Sequence, residues 1–332
     1  MRRAIIEGIG GWLPPRVVTN DELAARLDTS DEWIRTRTGI RARHVVSDGM
    51  LTSQLAVQAG AKALKSAGTD DVDMVVLATT TPDRPCPATA PEVARQLGLT
   101  GRPAFDVMAV CTGFLYALAT ASGLVAAGTA DRVLVVGAEA FSTIVDPGDR
   151  SAAAVFGDGA GALLLRAGDD GEPGAVGPVT LGSDGALTDL ITVRAGGVEE
   201  RTRPRPMDDA DRYFAMRGRE VFGHAVTRMT QAALTAVDQA GWRPEDVDRL
   251  VGHQANLRIL HAVADQLDLP HDRLVIHLDQ VGNTAAASIP LALWHANATG
   301  RLRPGDRVAL TAFGGGATWG ATTLTWPALT TV

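Results

Sequence analysis

The chain has 332 residues, 45% of them hydrophobic, and a formal net charge of −7. That is enough apolar material for two cores or one large duplicated core, and no basic block or aromatic-basic interleaving points to nucleic acid. Its two cysteines, Cys86 and Cys111, give no disulfide framework and suit a cytoplasmic protein.

The N-terminal run MRRAIIEGIGGWLPP opens with two arginines after the methionine, but Glu7 and the glycines interrupt any signal-peptide core. No apolar run approaches membrane-spanning length, so no membrane partner is expected. Ala63 to Thr80 (ALKSAGTDDVDMVVLATT) reads as a helix ending in Ala-Gly, a short loop and a strand. Arg102 to Val110 reads as a strand, and Thr112 to Gly128, Ala-rich and apolar, as a buried helix. Cys111 stands between them, at a first helical turn whose unpaired N–H groups and positive dipole end favour an anion. A free cysteine ordinarily fills core space, but in this position a thiolate is stabilised and can act as a nucleophile.

Asp131 opens a further strand, DRVLVVGAEA, and FGDGAGALLL (Phe156 to Leu165) leads into a strand rather than following one, which excludes a nucleotide-binding loop. Ala236 to Ala255 then repeats the helix, Ala-Gly, loop and strand of Ala63 to Thr80, and DRVALTAFGG from Asp306 repeats the run from Asp131. The Asp-Val-Asp runs begin at 71 and 246 and the Asp-Arg-Val runs at 131 and 306, so both repeats share an offset of 175. Two similar α/β halves are therefore expected, 1–172 and 173–332, meeting near a polar Gly/Pro connector from Ala167 to Gly174. Each should carry a mostly parallel sheet covered by helices. The offset carries Cys111 to Ala286, and a pocket between the halves is expected.

Three more segments bear on chemistry. His253 ends a strand before a helix, where open α/β sheets collect ligands. Asn283 follows a glycine and precedes a helix, a position that on its own suits a cap. The glycines after Phe313 would let a backbone amide approach a reacting carbonyl. His44, His224, His261, His271, His277 and His295 show no spacing that aims two imidazoles from one helix face, so no metal is expected. Ala-x-Cys-x-Gly around Cys111 also keeps a cysteine hydrolase open.

Together AVCTGF, HQANLRI, GNTAAASIP and AFGGGATWGA, in this order and spacing, resemble the β-ketoacyl-acyl carrier protein synthase III family of the thiolase superfamily. The likeness runs from DTSDEWIRTRTGIRARH (Asp28 to His44) to the C-terminus. It implies an α/β, thiolase-like five-layered αβαβα fold built from two duplicated halves, in a homodimer. It further implies Cys111 as the acylated nucleophile, His253 and Asn283 as its partners, and the amides of Cys111 and Gly315 as oxyanion donors. The substrates would be an acyl-coenzyme A starter and a malonyl-carrier protein, with no cofactor. Phe313, where thiolases carry a second cysteine, would place an apolar wall by the malonyl carboxylate and favour its loss. Coenzyme A contacts carry over to Trp33, Arg37 and Arg150, and a carrier-protein contact to Arg258. Cys86 stands where a bulky phenylalanine of the family reaches the partner subunit's acyl pocket, which should leave room for longer starters. The polar segment Glu199 to Met216 is longer than in compact relatives. The resemblance implies priming of fatty-acid or aromatic-polyketide synthesis; the alternatives are a non-decarboxylating acyltransferase and a catalytically silent partner subunit.

Overall fold

The computed structural model describes residues 2–203 and 206–332. Its first sheet has five strands, in spatial order Arg2–Trp12, Gly159–Asp169, Arg132–Glu139, Met74–Ala78 and Ala104–Val107. The second has four, Val176–Ser183, Thr318–Thr325, Arg307–Gly314 and Arg249–Gly252, with a lone parallel bridge from Leu250 to Leu274 where a fifth would stand. The strands correspond one for one. Arg132–Glu139 and Arg307–Gly314 lie 175 residues apart at both ends.

The sheets are mixed, which corrects the expectation of mostly parallel ones: Arg132–Glu139 and Arg307–Gly314 each run antiparallel to the strand that follows. Only a short turn separates Gly314 from Thr318, and a connection that short can only reverse direction. The connector is also shorter than expected, because strand Gly159–Asp169 extends through Ala167. The strand expected over Arg102 to Val110 is confined to Ala104–Val107, and the helix expected from Thr112 begins as Gly113–Ala126, after a 3-10 turn. Within the long polar segment, Val198–Thr202 is helical and Ala215–Met216 pairs with Ile191–Thr192; Pro204 and Arg205 lie outside the described residues.

Alternation along the strands makes the layers. Val76, Val133 and Val135 point to a central core with Phe114, Leu118, Ile289 and Leu293, while Val75, Leu77, Leu134 and Val136 point outward onto Leu55, Ala59 and Ala63 of helix Thr52–Ala67. In the second sheet Val308 and Leu310 join the same central core, and Leu250 and Ala309 meet Ala225, Met229 and Leu260 on the far side. Each strand is therefore apolar throughout because both of its faces are covered. Helices Gly113–Ala126 and Ser288–Ala298 fill the middle layer, giving five layers in all.

The Asp-Val-Asp echo has a physical cause. Asp73 accepts the Asp131 and Arg132 amides at 2.8 and 2.9 Å, and Asp248 accepts the Arg307 amide at 2.9 Å, so each aspartate pins the start of the neighbouring strand. The Asp73 carboxyl is held below its ordinary range first by the Arg132 amide.

The central helices start alike. A 3-10 turn, Val110–Thr112, precedes one and a matching turn, Ala285–Ala287, precedes the other, and the first residue of each turn has positive φ, 48° at Val110 and 43° at Ala285. Positive φ in a β-branched residue stores on the order of 1–3 kcal/mol and persists only where packing dictates it. That packing comes from glycine at the ends of the central strands. A Cβ on Gly137 would lie 2.5 Å from the Ala286 carbonyl oxygen, and one on Gly314 would lie 2.9 Å from the Cys111 nitrogen. Gly137→Ala should therefore cost about 1–3 kcal/mol through overpacking. Urea denaturation checks this; an unchanged midpoint would show that the turns tolerate separation.

Candidate active site

The Val110 kink turns the chain from the edge strand into the central helix and leaves Cys111 at the helix start, 7% exposed, where its side chain meets the tip of the second half. His253 follows strand Arg249–Gly252, held by its amide to the Thr311 carbonyl at 2.8 Å. Asn283 is fixed by two backbone bonds, Asn283 N–H to the Val155 carbonyl at 2.8 Å and Gly157 N–H to the Asn283 carbonyl at 3.0 Å. Cys111, His253, Asn283 and Phe313 line one cavity of about 40 Å³, closed on its other sides by Phe156, Ile191 and Phe214. Gly314 packs against Cys111, and Gly315 follows it against Val110 and Ile191.

Side-chain polarity in this cavity is oriented by neighbours. Asn283 Oδ1 accepts the Ala285 amide at 2.9 Å, so its NH₂ is the end left for a ligand. His253 Nδ1 lies 2.7 Å from Ser288 Oγ, which also receives the Gln254 amide at 3.4 Å. A serine hydroxyl that accepts there is free to donate to Nδ1, and in that tautomer the imidazole proton is on Nε2, the nitrogen left for a ligand. Burial pushes His253 down to about 3, which favours the neutral imidazole. Gln254 locks the same stretch, donating to the Gly252 and Val275 carbonyls and accepting the His277 amide.

Burial, and after it the charge of Glu139, push the Cys111 thiol up to about 12, while a hydrogen bond from its own amide pulls the other way. Behind it Phe141, Phe156 and Phe214 pack with ring centroids 4.4 to 5.2 Å apart. Below Asn283 the buried Arg43 donates to the Val18 and Ala154 carbonyls and to Asn20 Oδ1. Burial brings Arg43 down to about 10, and among the described residues no carboxylate pairs with it.

The Arg37 and Arg150 guanidiniums lie 5.9 and 5.3 Å from the Trp33 ring centre, so these three residues are assembled as a group. Asn256 donates to the Arg37 carbonyl at 3.0 Å and caps helix Leu257–Gln266, which presents Arg258 at the surface 5.9 Å from the Phe222 ring. Cys86 is exposed and does not line the Cys111 cavity of its own chain. Sequence reading missed Ser288, Glu139 and Arg43. A lone acid closing the apolar run VLVVGAE was a visible signal for Glu139; for Ser288 and Arg43 none was available, because their partners are distant in sequence.

A thiol, an imidazole and an amide that line one cavity on a duplicated five-layered α/β scaffold are the pattern of a condensing acyltransferase of the thiolase fold. The family models for 3-oxoacyl-[acyl-carrier-protein] synthase III match residues 105–185 and, for its C-terminal part, 237–326. β-Ketoacyl-[acyl-carrier-protein] synthase III 3 of Streptomyces coelicolor is 61% identical over 99% of this chain and 98% of its own, and the synthase III of Pseudomonas aeruginosa 52% over 98% and 97%. A crystal structure of a Pseudomonas aeruginosa 3-oxoacyl-(acyl carrier protein) synthase III superposes with a TM-score of 0.93 at 51% identity, covering 99% of both chains. The priming β-ketosynthase of the R1128 polyketide pathway superposes at 0.91 with 33% identity, covering 98% of this chain and 97% of its own. The chain belongs to the β-ketoacyl-[acyl-carrier-protein] synthase III family.

Removing the Ser288 hydroxyl should free the imidazole tautomer. Ser288→Ala is expected to lower the condensation kcat by about tenfold or more while leaving iodoacetamide labelling of Cys111 unchanged; equal loss in both assays would contradict the tautomer assignment.

Proposed function

We propose that this condensing enzyme primes chain synthesis by taking its starter from an acyl-coenzyme A and extending it once with a malonyl-carrier protein. The observation that carries the reading is the convergence of Cys111, the His253 imidazole and the Asn283 amide on one apolar cavity. In the first step Cys111 sulfur attacks the thioester carbonyl, its proton passes to the leaving coenzyme A thiolate, and an S-acyl enzyme forms. The amides of Cys111 and Gly315 would receive the oxyanion. In the second step the malonyl C–C bond breaks to release CO₂, and the electron pair becomes a thioester enolate. His253 Nε2–H and Asn283 NH₂ donate to that enolate oxygen, each contributing about 3 kcal/mol on the scale of a single oxyanion-hole donor. The enolate carbon then attacks the acyl carbonyl, and Cys111 leaves with its electron pair and is reprotonated. Phe313, 3% exposed, offers the malonyl carboxylate no hydrogen bond, which penalises the charged form and favours its loss. No cofactor or metal takes part.

Trp33 would stack the adenine while Arg37 and Arg150 pair with phosphates, and Arg258 would meet the acidic carrier protein. The enzyme would act as a homodimer. Strand Ala104–Val107 is an unpaired edge of the first sheet and runs into Met108, which is 68% exposed, a combination that favours pairing with a second copy. Such a pair would bring the exposed Cys86 loop to the partner's acyl pocket, where the small side chain would admit starters longer than acetyl. Two free thiols fit a reducing cytoplasm. Similarity to a priming ketosynthase of a polyketide pathway supports a polyketide starter step beside fatty-acid initiation.

Intact-protein mass spectrometry with a panel of acyl-coenzyme A thioesters tests the reading. An acyl adduct should form on the wild type and not on Cys111→Ala, and should disappear as a β-ketoacyl-carrier protein forms on addition of malonyl-carrier protein. Discharge without CO₂ release would identify a non-decarboxylating acyltransferase. Absence of any adduct would leave a silent subunit.

A further inference from the structure

The offset of 175 residues relates the site to a second place that the mechanism does not use. Cys111 and Gly315, whose amides are the proposed oxyanion donors, correspond to Ala286 and Ala140. At this counterpart site Ala140 N–H donates to Thr81 Oγ1 at 2.9 Å, Thr81 Oγ1 donates to Glu139 Oε2 at 2.8 Å, and the Ala286 amide supports the Glu139 carboxylate from the other half. Thr80 N–H donates to both carboxylate oxygens, at 3.0 and 3.1 Å. Glu139 is wholly buried.

A buried carboxylate that ends an apolar strand costs several kcal/mol unless donors surround it. Here those donors come from the end of strand Met74–Ala78 and from the turn that follows Asn283. The carboxylate and hydroxyl thus fill, with the protein's own atoms, the place that in the active half is left for a reacting thioester oxygen.

We propose that Glu139, together with Thr81, is a positioning residue of the condensation step, an internal anion that occupies the counterpart of the oxyanion hole and holds the Asn283 turn in place. The turn it supports begins with Ala285, whose own amide orients Asn283, and continues with Ala286, whose amide supports Glu139. Strand Arg307–Gly314 has Gly314 at the position of Glu139, so the equivalent space there stays open beside Cys111. Burial raises Glu139 to about 7, and its charge in turn raises the Cys111 thiol.

The inference rests on the condensing reading, and three measurements on Glu139→Gln and Glu139→Ala separate the two. Acylation of Cys111 by acyl-coenzyme A, followed in single turnover by mass, should not fall, whereas condensation with malonyl-carrier protein should fall by about tenfold or more in Glu139→Ala. Added formate, which restores an anion between the same donors, should recover part of that loss. The pH profile of Cys111 alkylation by iodoacetamide should move to lower pH in Glu139→Gln, because a neighbouring negative charge is gone; a merely structural residue would leave it unmoved. Unaltered condensation in both variants, or a parallel fall of acylation and condensation with no formate rescue and no profile shift, would overturn the proposal. A wild type that fails to condense would instead overturn the functional reading.

Discussion

Everything at the centre of this enzyme depends on how closely two backbone turns can approach two strand ends. The turns Val110–Thr112 and Ala285–Ala287 each open on a residue of positive φ, and each is pressed by a glycine at or near the end of a central strand of the opposite half. Contacts this short leave no room for a Cβ, so the strain in the turns is maintained by packing on both sides and not by local preference. One turn delivers Cys111 and the other orients Asn283, and the same approach therefore creates the cavity and joins the halves. The strand ends then place His253 and the terminal glycines round the same cavity.

The two turns carry opposite chemical loads. At the first, the space beyond the turn is apolar, walled by Phe156, Phe214 and Phe313. At the second, the space is filled by Glu139 and Thr81. The duplicated halves share similar backbone sites, and differences at a few positions, Cys111 against Ala286 and Gly314 against Glu139, leave one open and apolar and the other filled. Burial also pushes His253 down, which favours the neutral imidazole.

What could be read from the sequence follows from these contacts. The offset of 175 was visible because Asp73 and Asp248 perform the same clamp in both sheets, and a clamp of that kind needs the same residue type at the same register. Cys111, His253 and Asn283 were visible because their motifs end strands or open helices. The kink at Val110 was not, since a valine gives no local sign of positive φ, and the strand expected to run through Val110 stops at Val107. The depth of Cys111 and the buried Glu139 from another strand were not legible, because both depend on which strands pack together. The antiparallel strands escaped because the echo reports which segments are alike and not the directions in which they pair.

The central claim is a division of labour, with Cys111 carrying the acyl group and the His253–Asn283 pair breaking the malonyl carbon–carbon bond. Decarboxylation of malonyl-carrier protein to acetyl-carrier protein, measured as CO₂ release in the absence of any starter, tests it most directly. Cys111→Ala should retain this activity while Asn283→Ala loses it; loss in Cys111→Ala together with retention in Asn283→Ala would contradict the account.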